Sequence, residues 1–490
     1  MKKHEYLAPQ PIDKKKQARV LITTDLEVDD MNGIMLTLMY ATDYDIAGIV
    51  WTAGMFHFNG DGEHTLGEVT PHYRCKATHV NHTVENAGQL KDFRPADPHF
   101  LERIIDVNYR HDYKMLSKNN PNYPTPEYLL SVTKTGNVAF EGDYRFETEG
   151  SNWIKECILD DDMRPLYIQH WGGINTTVRA FYSIYEEYHD TDQWDAVLAK
   201  VIAKVRLQGD GEDYCRADSK LDEMFPGLID GGRAWADGFG YANFFAAADM
   251  GENASPMFRT PPEVKKYYKA EWLIDAFKFN HGAIMSRFYL MDDGQPIYGE
   301  PYGYQYGLHG VFDWGGMADE GFDNDTVKNF PRVEIKRMDW MCCQFETSMF
   351  VDIGLRVGIR ARNPHYTQVL FEELAARADW AIMEPEFCNH APVVVADQLD
   401  FTAAAGADVK LSAAVSDPDG DTLTINWWMA ENEQKYEGEG YGIEAGNVTE
   451  ATFTVPADAK AGDRFVINME VSDDAERKMT RFAEFTVTVA

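Results

Sequence analysis

Val20-Leu-Ile-Thr-Thr-Asp-Leu-Glu-Val-Asp-Asp30 is the stretch on which the reading of the fold turns. An apolar run ends abruptly at Asp25, and Asp29 and Asp30 follow it closely. Apolar residues then recur at helical spacing from Met31 to Ala41, and a second apolar run covers Ile46 to Trp51. This order predicts a strand, an acid-bearing turn, a helix and another strand, which is a βαβ unit. In open α/β sheets the ligand crevice lies outside the carboxyl ends of the strands, where these acids collect. Asp25, Asp29 and Asp30 repel one another unless a cation or hydrogen bonds offset their charge. The expected occupant is a hard divalent metal, Ca²⁺, which takes about six to eight oxygen ligands. Asp29 alone would read as a helix cap favoured by the helix dipole; the triplet behind a continuous apolar strand points to function.

The chain has 490 residues, enough for about two to four domains of ordinary size. An apolar content of 44% supports a sizeable core rather than a disordered chain. The formal net charge of −34 argues against nucleic acid or an anionic membrane as partner. No apolar run is long enough to span a bilayer. The start, Met1-Lys-Lys-His-Glu-Tyr6, is basic but carries no apolar segment, so no secretory signal is expected in this chain. Six cysteines (75, 157, 215, 342, 343, 388) form neither a disulfide framework nor a Cys-x-x-Cys zinc pattern. Adjacent Cys342 and Cys343 read as core residues.

Strand-like runs at Val20–Thr24, Ile46–Trp51, Pro165–His170 and Val201–Leu207 alternate with helical periodicity over 98–109, 175–188, 265–279 and 367–380. Alternation of this kind predicts an α/β fold, a doubly wound and mostly parallel sheet with helices on both faces. The texture changes at Asn389-His390-Ala391-Pro392. Short alternating strands follow at Val409–Val415, Thr422–Trp428, Ala451–Val455, Phe465–Val471 and Phe482–Val489, and they predict an immunoglobulin-like β-sandwich. The expected organisation is an extension over 1–18, an α/β domain over 19–388 and the sandwich over 389–490. Asp417-Pro-Asp-Gly-Asp421 invites a calcium reading, but it lacks the glycine and the closing glutamate of an EF-hand loop and is read as a tight turn. His57, His64, His72, His79 and His82 fall in a long polar region at irregular spacing and read as scattered surface histidines.

A second block, Arg164-Pro-Leu-Tyr-Ile-Gln-His-Trp-Gly-Gly-Ile-Asn-Thr-Thr177, is a strand, a Gly-Gly turn and a helix start. Paired glycines let the backbone approach a ligand closely, and carbonyls there can complete a metal shell. Thr-Asp-x-x-x-Asp-Asp at 24–30 followed by Trp-Gly-Gly-x-Asn-Thr at 171–176 resembles the nucleoside hydrolase-like proteins. The resemblance is to the bacterial branch described as cellulose-binding, which joins such a domain to a C-terminal β-sandwich. Asp379-Trp380 and the 389–392 junction fit that branch as well.

The resemblance implies that Asp25 and Asp30 bind Ca²⁺, with the backbone carbonyl of Asn175 as a further ligand. Asp25 would also be the general base that takes a proton from the attacking water, and Asp29 would hydrogen-bond sugar hydroxyls. The chain departs from the family in having Thr23 where an aspartate is usual. The late metal ligand falls to Glu300, with Asp293 as the other choice. His170 and His309 are the candidate acids for the leaving group. Trp171, Tyr302 and Tyr304, within or beside glycine-rich loops, are candidates for stacking on sugar faces, as are Trp235, Trp314 and Tyr306.

These features lead to the expectation of an extracytoplasmic bacterial glycosidase acting on an oligo- or polysaccharide. The rivals are an N-ribosyl (nucleoside) hydrolase and a non-catalytic carbohydrate- or cellulose-binding protein. A phosphatase using Asp25 as nucleophile is weaker, because Glu27 stands where that chemistry expects an aspartate. Homo-oligomerisation is left open.

Overall fold

The structure is a computed structural model. It describes residues 6–12, 14, 17, 19–26, 28–43, 45–54, 57–70, 89–92, 95–208, 215–230, 270–288, 364–429 and 435–490. The chain divides into two compact units. One takes in residues 12–114 and 122–348, and the other residues 1–11, 115–121 and 349–490.

The larger unit is built on a six-stranded sheet. Its elements run β1 (Arg19–Thr24), α1 (Val28–Met39), β2 (Asp45–Trp51), β3 (Thr133–Thr135), α2 (Glu149–Leu159), β4 (Leu166–Trp171), α3 (Asn175–Tyr188), α4 (Trp194–Lys204), β5 (Val205–Gln208) and β6 (Ile229–Asp230). The spatial order is β3-β2-β1-β4-β5-β6, and every neighbouring pair is parallel. All residues of β1, β2 and β4 are buried, as expected when helices cover both faces of a parallel sheet. The order reverses between β1 and β4, the topological switch point at which doubly wound sheets place their ligands. The core of this unit packs Leu21, Val50 and Ile168 of the sheet against Ile154, Ile158, Val178, Phe181 and Ile184 of α2 and α3.

At the amino edge of the sheet, Asp160 accepts hydrogen bonds from Arg19 at 3.2 and 2.5 Å and from the Lys204 ammonium at 2.5 Å. Burial pushes the Asp160 carboxyl up, and the two cations outweigh it and hold it below its ordinary value. This charge cluster serves the scaffold, because the strands' carboxyl ends lie at the opposite edge.

One predicted strand is shorter than its apolar run suggested. Residues 201–204 belong to α4, and β5 starts only at Val205. Trp194, Val197, Leu198 and Val201 recur at helical spacing and pack on the core, so the helix claims the first half of the run. The expected helix over 265–279 is described from Ala270, where one α-helical turn passes into a π-helix over Ile274–Lys278.

The smaller unit contains α5 (Pro364–Trp380) and the strands β7 (Val393–Val395), β8 (Asp400–Ala403), β9 (Asp408–Ser412), β10 (Ala414–Ser416), β11 (Thr424–Met429), β12 (Glu450–Thr454), β13 (Arg464–Ser472) and β14 (Thr480–Val489). These form a sheet in the order β11-β13-β14-β8 and two-stranded sheets β12-β9 and β10-β7. All pairs are antiparallel except β14 with β8. β9 and β12 bury every second residue, and Leu411 and Phe453 share one apolar core with Trp427, Phe465, Ile467 and Phe485 of the four-stranded sheet. The C-terminal region is therefore strand-rich, with layers closed over a common core. Glu373 of α5 is fully buried and receives two hydrogen bonds from Arg481 of β14, at 2.6 and 2.9 Å, and one from Arg377 at 2.9 Å.

Candidate functional site

Three strand ends meet around one carboxylate. Asp25 follows the last residue of β1, Gly54 lies three residues past β2, and Gly172 follows β4. Backbone hydrogen bonds stitch these ends together: Thr52 N–H to Thr24 O at 2.8 Å and Gly173 N–H to Ala53 O at 3.0 Å. The Asp25 side chain lies against both glycines. A Cβ on Gly54 would stand 1.9 Å from Asp25 Oδ2, and one on Gly172 would stand 2.8 Å from Asp25 Cγ. The two glycines therefore leave the space that the carboxylate fills, and any side chain at either position would displace it.

The turn from Asp25 into α1 is held by Thr24. Its Oγ1 donates to Asp30 Oδ1 at 2.7 Å and accepts from the Leu26 N–H at 3.1 Å. Leu26 has φ +64°, a left-handed conformation that costs a branched residue energy and is often kept at functional turns. Asp25 and Asp30 are both buried. Asp30 sits in the first turn of α1, where the helix dipole favours negative charge. For Asp29 only its backbone place in that turn is described.

The other predicted residues are distributed as follows. Trp171 is 7% exposed: its ring packs on α1 where a Cβ at Gly33 would meet it at 2.9 Å, and its indole N–H donates to Gln169 Oε1 at 3.3 Å. The ring is thus spent on packing under α1. His170 is buried on the face of β4 turned to α3, with Nε2 3.0 Å from Thr177 Oγ1. Asn175 opens α3, and its side chain is a brace: Nδ2 donates to the carbonyls of Asn137, Phe140 and Asp143, and Oδ1 accepts from Thr52 Oγ1 at 2.6 Å. Thr176 completes the brace, accepting from the Asn137 N–H at 2.8 Å. Asn175 therefore fixes the loop after β3 beside the loop after β2. Glu300, Asp293, Tyr302, Tyr304, Tyr306, His309, Trp235, Trp314, Cys342 and Cys343 lie outside the described residues.

Sequence reasoning missed two contributors. Thr52 and Asn137 look like ordinary polar loop residues, and nothing in their spacing links them to Asn175 and Thr176 of the quoted motif. His57 departs from the expected surface histidine: it is 1% exposed, and its carbonyl accepts from the Gly54 N–H at 2.8 Å, beside Asp25. His64 does sit at the surface, against Asp61 at 2.8 Å.

The donor set fits a hard cation. Asp25 and Asp30 bring two buried carboxylates to one turn, and Gly54 and Gly172 leave the room that the Asp25 carboxylate takes up. In the smaller unit, Asp417, Asp419 and Asp421 have carboxylate oxygens within 4.8 Å of one another. Their loop has the geometry of a turn, with Asp417 Oδ1 accepting from the N–H groups of Asp419 at 2.9 Å and Asp421 at 3.0 Å.

The larger unit is thus a doubly wound parallel sheet with paired aspartates after its first strand, and a strand-rich region follows it in the chain. Residues 19–336 match the family described as cellulose-binding Sde182, nucleoside hydrolase-like domain. Residues 408–489 match the C-terminal domain of the cellulose-binding protein Sde0182. The chain belongs to this family. Among solved structures it is similar to a nucleoside hydrolase-related hypothetical protein from Saccharophagus degradans, described as associated with carbohydrate metabolism. The two share 20% identity, with a TM-score of 0.62, over 97% of this chain and 100% of that one. At this identity the likeness establishes the fold. No curated protein matches the chain. Among the described residues no helix is long and apolar enough to cross a membrane.

Proposed function

We propose that this chain is a carbohydrate-active hydrolase that cleaves a glycosidic bond at the Asp25 crevice. The observation that carries the reading is the pair of buried carboxylates, Asp25 and Asp30, on the turn at the sheet's switch point, with a glycine on each neighbouring strand end. Asp25 and Asp30 would hold Ca²⁺, with the Asn175 carbonyl and Glu300 as the remaining candidate ligands. A bound Ca²⁺ supplies positive charge that makes water more acidic and offsets the repulsion between the carboxylates. Asp25 takes the proton of the attacking water as general base. Asp29 binds sugar hydroxyls, and the carboxylates stabilise the positive charge that grows on the anomeric carbon. His170 and His309 are the candidate proton donors to the leaving group, and Tyr302 and Tyr304 the candidate stacking residues. A polysaccharide substrate places the working protein outside the cytoplasm.

The family description favours a second reading, a protein that binds cellulose without turnover. A panel of aryl glycosides, oligosaccharides and nucleosides, assayed with and without chelator, separates the readings. Sugar release that chelator abolishes, and that Asp25→Asn lowers by about a thousandfold or more, is the expected result, since removing a catalytic group costs this order of rate. Release of base from inosine or uridine alone would make it a nucleoside hydrolase. Cellulose binding that survives Asp25→Ala, with no bond cleaved in any substrate, would make it a binding protein.

A further inference from the structure

We infer that Thr24 is a positioning residue, whose single hydroxyl sets both carboxylates of the proposed cation site; this rests on the cation reading given above. The hydroxyl has one proton and gives it to Asp30 Oδ1 at 2.7 Å. A lone pair of the same oxygen accepts the Leu26 N–H at 3.1 Å. The first bond orients Asp30 directly. The second holds Leu26 at φ +64°, and Leu26 is the residue through which the chain turns after Asp25. Without that bond a leucine has no reason to stay left-handed, because its Cβ meets the backbone there. Thr24 is fully buried, so water cannot take over either bond.

The walls around Asp25 make the orientation matter. The carboxylate lies where Cβ atoms on Gly54 and Gly172 would stand, 1.9 and 2.8 Å from its atoms, so it occupies the room that the two glycines leave. A relaxed Leu26 would swing the Asp25 backbone, and its carboxylate would meet one of these loops. One hydroxyl therefore couples the aim of Asp25 to the orientation of Asp30. A β-branched residue suits the position because it packs in the last turn of a buried strand while carrying the oxygen.

The test is calorimetric titration of CaCl₂ into the chelator-stripped full chain, comparing wild type with Thr24→Val, Thr24→Ser and Asp25→Asn. Valine keeps the shape and removes both hydrogen bonds; serine keeps the oxygen. Asp25→Asn identifies which part of the heat belongs to this crevice, separating it from any binding at Asp417, Asp419 and Asp421. The expected result is a loss of affinity of about 10- to 100-fold in Thr24→Val, the range for groups that orient metal ligands, with serine restoring it. A purely structural role would lower melting temperature without serine rescue of affinity. If the valine variant does not fold, Thr24→Ala read against Thr24→Ser gives the same comparison. Crevice binding that is as tight in Thr24→Val or Thr24→Ala as in wild type would overturn the positioning role and leave the cation reading intact. No Ca²⁺ binding in wild type that Asp25→Asn removes would overturn the cation reading, and the role of Thr24 with it.

Discussion

Gly54→Ala is expected to disable the crevice while leaving the fold in place. The new Cβ would stand 1.9 Å from Asp25 Oδ2 and 2.9 Å from Cγ, distances no pair of non-bonded heavy atoms tolerates. An isolated carboxylate would rotate aside at little cost. Asp25 is buried and also lies against Gly172, whose own Cβ position is 2.8 Å from the Asp25 Cβ and Cγ, so it has no solvent to turn into. The group must leave its place, and a displacement of about 1 Å in a reacting group costs about 100-fold in rate. Gly54 lies in a loop, with ordinary backbone conformation, so its strand pairings survive. Glycosidase turnover and Ca²⁺ affinity are the measurements, with melting temperature as the check on folding. Gly446→Ala, where a new Cβ meets nothing within 4 Å, is the control. Turnover and affinity equal to wild type in Gly54→Ala would show that the position of Asp25 is irrelevant to function.

Glu373→Ala carries the largest expected loss of stability. Its carboxylate is fully buried between Arg377, also buried, and Arg481. Burial alone would push this carboxyl up, but the charges of Arg481 and Arg377 outweigh it and hold it below its ordinary value. Removing one partner of a buried ion pair leaves uncompensated charge inside and costs about 3–5 kcal/mol. Chemical denaturation of the full chain, following the transition of the smaller unit, measures it. A loss under about 1 kcal/mol would mean that the arginines find water, as in an exposed pair. The sign of the pH dependence follows from the depressed value. The folded state binds the proton less readily than the unfolded chain does, so Glu373 contributes stability above the unfolded value of about 4.3. That contribution disappears as pH falls through the lower, folded value. Glu373→Gln should flatten this part of the acid limb of the stability curve.

The β1 turn could be read from residues 20–30 because every signal in it is local. The apolar strand, the acids and the helical period lie within one βαβ unit, and the switch-point rule then gives Asp25 its place. The same reasoning failed at Val201–Leu207, where helical and strand periods overlap and only packing on the core decides between them. Trp171 shows a different limit. A tryptophan before two glycines looks like a stacking platform, yet Gly33, far away in sequence, gives its ring a bed on α1. His57 was indistinguishable from its scattered neighbours until the loop after β2 brought it beside Gly54 and so beside Asp25.

By itself the sequence determined the parallel α/β architecture, the strand-rich C-terminal region and the acids that end the first strand. These follow from periodicity and from the change of texture near residue 389, both properties of neighbouring residues. Only the tertiary structure decided what surrounds Asp25. Gly54 and Gly172 shape its space from β2 and β4, and Thr52, Asn137, Asn175 and Thr176 brace the loops that carry it. Likewise only the structure joined Glu373 to Arg481 across 108 positions. Such contacts connect residues through folded space, and no short-range pattern encodes them, because each partner is an ordinary residue until the sheet closes.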